Sequence, residues 1–157
     1  MTNSKDFLQD GGVHRYPVRV YFQDTDAGAT VYHGAYLQFA ERARIESLRD
    51  LGMSLAEDGL IFAVRRCHLE YHSPGFLDDL LTIETRVIGY TRTSLSMRQS
   101  VMRGETLLVD VTILMVCMRL GQGWKPRRIP TPIALILNRF RELGLVSKEA
   151  SVDLKTD

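Results

Sequence analysis

The chain has 157 residues, enough for one domain with a full core. Apolar residues make up 45% and charged residues 25%, the balance of a soluble globular protein. A formal charge of +1 argues against the broad basic surface that holds a nucleic-acid backbone, and no apolar run reaches the roughly 20 residues needed to cross a bilayer.

The first fifteen residues lack the apolar stretch of a signal peptide, so a cytoplasmic location is expected. Residues 1–14 read as a flexible lead ending in the Gly11-Gly12 pair. Tyr16 to Phe22 alternates and is rich in β-branched and aromatic residues, which predicts a strand. A loop carrying Asp24, Asp26 and Gly28 follows, and from about Gly34 the apolar spacing becomes helical. Leu37, Ala40, Leu48 and Leu51 form one stripe, widened by Tyr36, Phe39 and Ala43. Gly52 is placed to end this helix in the left-handed region.

Strands are predicted at about 61–72, 80–89, 93–103 and 106–119, with Pro74-Gly75, Gly89 and Gly104-Glu105 at the connections. The last strand is nearly continuous in apolar residues, as for a strand covered on both faces. Thr131-Pro132 reads as a cap followed by the first helical residue of a short helix to about Leu143. Gly144 and a polar tail, 145–157, close the chain, leaving 15–144 as the single domain. Strand, long helix, four strands and short helix, joined by short connections, predict an α+β domain with an antiparallel sheet. Cys67 and Cys117 sit in apolar runs without CxxC spacing and are expected to be buried, reduced thiols.

The chemistry concentrates between Tyr21 and Arg44, YFQDTDAGATVYHGAYLQFAERAR. Two carboxylates stand two apart, a glycine permits a tight turn, and His33 precedes a helix. The first turn of a helix presents unpaired N–H groups and a partial positive charge, which can bind a phosphate or polarise a carbonyl. A carboxylate on the preceding loop could then act as base or nucleophile. The residues alone also allow a plain capping role for the aspartates and a structural one for the histidine.

The pattern D-T-D-A-G-x-x-V-Y-H-x-x-Y-L-x-F-x-E-x-A-R, Asp24 to Arg44, closely resembles the 4-hydroxybenzoyl-CoA thioesterase family of hotdog-fold proteins, nearest to its Tol-Pal-associated, YbgC-type branch. The similarity continues in Val64-Arg65-Arg66, Glu70-Tyr71 with Pro74, Leu77-Asp78-Asp79, Arg92-Thr93-Ser94 and Lys125-Pro126-Arg127. The resemblance implies a hotdog fold, in which a sheet of about five antiparallel strands wraps a long helix. It also implies hydrolysis of acyl-coenzyme A thioesters at sites between the subunits of a homodimer or homotetramer, with no metal or cofactor. It places the catalytic carboxylate on Asp26 and the carbonyl-polarising amide on His33, whose side chain is also implicated. Asp24 becomes a structural residue, and Tyr32 and Tyr36 shape the acyl pocket or anchor the helix. Arg66, Lys125 and Arg127 are candidates for the coenzyme A phosphates, against the plain reading of a solvated surface. Where close relatives often carry Gly-Gly and a valine, this chain has Gly28-Ala29 and Thr30.

His68, Glu70 and His72 alternate along a strand and could share a face as metal ligands, a role the resemblance does not assign. Glu41 and Arg44 are expected to form an ion pair or an interface contact. Two rival functions are a catalytically weak hotdog module that binds acyl carrier protein or an envelope-associated complex, and a hydroxyacyl-thioester dehydratase. The retained Asp26 and His33 speak against the first, and their setting against the second.

Overall fold

The computed structural model describes residues 11–53 and 59–153, with side chains as far as 143. Strand β1 (His14–Arg19) leads through a 3-10 turn (Phe22–Asp24) to helix α1 (Ala35–Asp50). Strands β2 (Leu60–Tyr71), β3 (Leu80–Tyr90), β4 (Ser94–Arg103) and β5 (Thr106–Arg119) follow, then helix α2 (Thr131–Asp153). The strands form one antiparallel sheet in the order β1-β3-β4-β5-β2, so β2 and β1 are its edges. No helix among the described residues is long and apolar enough to cross a membrane.

Alternation along the central strands decides which face is covered. Val109, Val111, Ile113, Met115 and Cys117 of β5 all point to the helical side and are buried. One half of that face packs α1 through Tyr36, Phe39, Ala40 and Ala43, against Leu81, Ile83, Val101 and Val111. The other half packs α2 through Leu137 and Phe140, against Val87, Leu95, Met97 and Met115. The methionines Met97 and Met115 are therefore core residues. The two helices share one face of the sheet, and the α1 end joins the halves through Leu51.

The buried stripe of α1 is rotated from the one the leucines suggest. Leu37 is 41% exposed and Ile45 47%, whereas Ala40, Ala43 and Ser47 are fully buried. Small side chains sit where the helix backbone comes closest to the sheet. Gly52 ends the helix as expected, at φ +91. Arg44 is also buried, and it pairs with Gln99 rather than Glu41: its Nη1 donates to Gln99 Oε1 at 3.0 Å. Gln99 Nε2 donates in turn to Ala40 O at 2.8 Å and Thr85 Oγ1 at 3.0 Å. Burial pushes the Arg44 guanidinium below its ordinary value, and Glu41 acts on it only at longer range.

Other boundaries shift. β1 starts at His14, whose Nε2 lies 2.8 Å from Asp50 Oδ2 on α1, so residues 11–14 belong to the fold; residues 1–10 of the expected lead lie outside the described residues. Phe22 is not in the strand but in the 3-10 turn, 81% exposed. Helix α2 runs through Gly144 to Asp153, where a stop and a polar tail were expected. A glycine inside a helix costs only about 1 kcal/mol, and no proline follows to end it. Cys117 is buried, but Cys67 is exposed on β2; both are free thiols.

Candidate active site

The two carboxylates of the β1–α1 loop have different surroundings. Asp24 is buried; its Oδ2 accepts the N–H of Tyr21 at 2.9 Å, and its carbonyl accepts the N–H of Tyr32 at 2.8 Å. It fastens the start of the loop to its end. Asp26 is exposed, and its Oδ1 accepts the N–H of Gly28 at 3.0 Å and the hydroxyl of Thr30 at 3.2 Å. Its Oδ2 has no intramolecular partner among the described residues. The backbone closes around it, with Ala29 N–H donating to Asp26 O at 3.1 Å and Asp26 N–H to Thr30 O at 3.0 Å. This turn holds Ala29 at φ +59, the left-handed region that glycine adopts without strain and alanine at a cost of about 1 kcal/mol.

The loop delivers the chain to the start of α1. Ala35 N–H donates to Tyr32 O at 2.9 Å, but the N–H groups of His33 and Gly34 have no intramolecular acceptor among the described residues. The Tyr32 ring lies against the His33 imidazole at a tilt of 47°, with centroids 4.3 Å apart. It also covers Gly34 so closely that a Cβ there would meet Tyr32 Cε1 at 2.7 Å. Tyr36, one turn on, is buried; its hydroxyl accepts the N–H of Gly75 at 2.9 Å, and burial pushes its phenol above the ordinary value. That bond fixes α1 against the β2–β3 loop. Val31 N–H donates to Gly75 O at 2.9 Å from the same side.

Between these parts lies a cleft of about 270 Å³, lined by Thr30, Val31, His33, Tyr36, Tyr71, His72, Ser73 and Pro74. Of the residues picked out in the sequence, His33 and Tyr36 line it, and Tyr32 touches it only through the His33 ring. Asp26 is not part of the lining; it joins the cleft through Thr30, whose hydroxyl it holds. Arg66, Lys125 and Arg127 are exposed elsewhere. Arg127 N–H donates to Cys117 O at 2.7 Å, whereas Tyr71 pairs with Val109. Those two positions on β5 are eight residues apart, about 27 Å at ~3.4 Å per residue. Within one protomer the basic segment therefore sits far from the cleft.

Tyr71 and Thr30 are the residues that sequence reasoning left without a role, although Glu70-Tyr71 lay in plain view. The His68, Glu70 and His72 side chains are splayed, with Nε2 to Oε contacts of 3.5 and 3.9 Å, and no cluster of three metal-ligating groups occurs among the described residues.

A five-stranded antiparallel sheet with a long helix across one face, and a cleft at that helix's free amides, is a hotdog architecture. Comparison with known proteins agrees: the profile of the Thioesterase superfamily matches residues 28–110. The acyl-CoA thioester hydrolase YbgC of Escherichia coli O157:H7 is 43% identical over 123 residues, covering 76% of this chain and 91% of that protein. The acyl-CoA thioesterase YbgC of Haemophilus influenzae is 40% identical over 130 residues, covering 80% and 95%. The crystal structure of a probable thioesterase from Bartonella henselae superposes with a TM-score of 0.71 at 37% identity, covering 75% of this chain and 99% of that one. The chain belongs to the thioesterase superfamily, in its YbgC-type branch.

Proposed function

We propose that the chain hydrolyses the thioester bond of acyl-coenzyme A in the cleft at the start of α1. The observation that carries this reading is the pairing of two unengaged backbone N–H groups, at His33 and Gly34, with a carboxylate one hydroxyl away. The thioester carbonyl oxygen accepts the N–H of His33, and the carbonyl carbon turns toward Asp26. Asp26 takes a proton from water as hydroxide attacks, or attacks directly to form an anhydride that water then opens. In either route the tetrahedral oxyanion is held by the helix amide, the C–S bond breaks, and coenzyme A leaves as a thiolate that picks up a proton.

Magnitudes support a mechanism built from this chain's own groups. An oxyanion donor contributes roughly 10²–10³ in rate and a positioned base roughly 10²–10⁴. A thiolate is a good leaving group, so a thioester needs less activation than an amide. In this proposal the His33 imidazole, which lies against the Tyr32 ring and lines the cleft, hydrogen-bonds the departing sulfur.

A second copy completes the site in this proposal. β2 is a twelve-residue edge strand whose outer rim is open, and Val64 to His68 are exposed along it. Antiparallel pairing of β2 with its own copy reverses the strand, carrying the copy's Leu60 end and its adjoining basic segment toward this cleft. Lys125 and Arg127 of the copy, with Arg66, then face the coenzyme A phosphates, which resolves their distance within one protomer. Dimers can pair again into a tetramer, and two free cysteines suit a reducing, cytoplasmic setting.

Thiol release from a panel of acyl-CoA substrates is the test. Asp26→Asn is expected to lower kcat by about 10² or more. Turnover near the wild-type level would remove Asp26 from the mechanism. Failure of the wild-type protein on every chain length, with tight binding of acyl carrier protein instead, would replace the hydrolase with a binding module. Single turnover in ¹⁸O water separates the two routes, because only the anhydride route leaves label in Asp26.

A further inference from the structure

We propose that Tyr71 is a positioning residue for this hydrolysis: its phenol clamps the carbonyl of His33 and so aims the amides at the start of α1 into the cleft. The inference rests on the proposed hydrolase reading and adds a residue to which neither the sequence motif nor that reading gave a task.

The Tyr71 hydroxyl donates to His33 O at 3.1 Å, across 38 residues of sequence. Tyr71 is the last residue of β2 and is paired with Val109 of β5, which is fully buried in the core. The clamp therefore ties the junction of loop and helix to the rigid sheet. Its ring is braced as well, packing edge-on to Tyr36 with centroids 5.9 Å apart. On either side, the backbone is held by Tyr32 N–H to Asp24 O and Ala35 N–H to Tyr32 O, both local bonds. Between them, the His33 carbonyl is the point at which β2 takes hold of the helix start.

The consequence follows from peptide planarity. The His33–Gly34 peptide is a rigid trans unit, so fixing its carbonyl fixes the opposite N–H, that of Gly34. Gly34 N–H is the second unengaged amide of the site and adjoins His33 N–H, so the clamp sets one member of the pair directly and anchors the residue that carries the other. A phenol that merely lined an acyl pocket would need no bond to this carbonyl. Tyr71 is half-exposed and lines the cleft, so the clamp borders the space where this proposal puts the thioester carbonyl.

Tyr71→Phe keeps the ring against Tyr36 and removes only the hydroxyl. A displacement of about 1 Å at a reacting centre can cost roughly 100-fold, and loss of an oxyanion donor outright roughly 10²–10³. Loosening the Gly34 amide and the His33 backbone beside it should therefore lower kcat by about 10- to 100-fold. KM and inhibition by free coenzyme A should stay within about twofold, since ground-state binding does not depend on the aim of that amide. The thermal midpoint should fall by no more than about 4 °C, the effect of one hydrogen bond. A kcat at the wild-type level, or a loss confined to KM, overturns the clamp while leaving the hydrolase reading intact. If the wild-type protein turns over no thioester at all, the hydrolase reading fails and the clamp with it.

Discussion

Replacing Gln99 with leucine tests the polar knot inside the core. Gln99 is fully buried between α1 and the sheet, and its amide makes three bonds: it accepts from Arg44 and donates to Ala40 O and Thr85 Oγ1. Leucine is similar in size, so little cavity is left; the cost lies in stranded polar groups. The Arg44 guanidinium loses its hydrogen-bonded acceptor, worth roughly 1.5–3 kcal/mol for a buried charged donor, and Ala40 O loses a partner for about 1 kcal/mol more. Some of this is offset by the leucine's own burial, which leaves about 3 kcal/mol of destabilisation. In a domain of this size that lowers Tm by about 6–12 °C. Calorimetry or circular dichroism reads the shift, and urea unfolding with an unchanged slope confirms that the unfolded state is the same. Arg44→Met in the Gln99→Leu background should recover at least about 1 kcal/mol, because it removes the stranded charge. A Gln99→Leu protein that melts within about 2 °C of wild type would refute the argument, as would a double variant whose losses simply add.

Thr30→Val deletes the hydroxyl that holds Asp26 Oδ1 while preserving shape, and is expected to lower kcat about fivefold, with Thr30→Ser restoring most of it; equal turnover in all three would show that the 3.2 Å contact is idle. Tyr36 gives a pH prediction. Its phenol is raised above the ordinary value of 10.0 by burial, so above about pH 10 the unfolded chain loses this proton first. Stability is fully present below that pH and should decline as the pH rises through the native value; in Tyr36→Phe this component of the decline should vanish from alkaline urea titrations.

Much of the fold was legible because its signals are local. Alternation in β3 to β5, the glycine at 52 and the helical spacing after Gly34 each follow from backbone geometry, and β2 to β5 fall within a residue of expectation, whereas β1 begins two residues early and ends three early. Strand order was not legible, since β1 pairs with β3 and β2 with β5 through contacts far apart in sequence. The face of α1 was misjudged for a physical reason: large leucines mark apolarity, whereas a close helix–sheet approach selects Ala40, Ala43 and Ser47. The Arg44–Gln99 bond spans 55 residues, and Glu41, three residues away, was the obvious but wrong partner. At the candidate site the motif pointed to the loop and His33, and Asp24 and Asp26 do have different surroundings, one buried and one exposed. It was silent on Thr30 and Tyr71, whose tasks exist only once β2 folds beside the helix start.

The two rims of the sheet are unequal. β2 offers twelve residues, while β1 offers six, with Pro17 among them lacking the N–H that a neighbouring strand would need. Any strand-by-strand association is thus invited on one side and refused on the other. In the pairing proposed above, two copies of this rim meet about a two-fold axis and cover each other, so growth halts there instead of running on into a fibre.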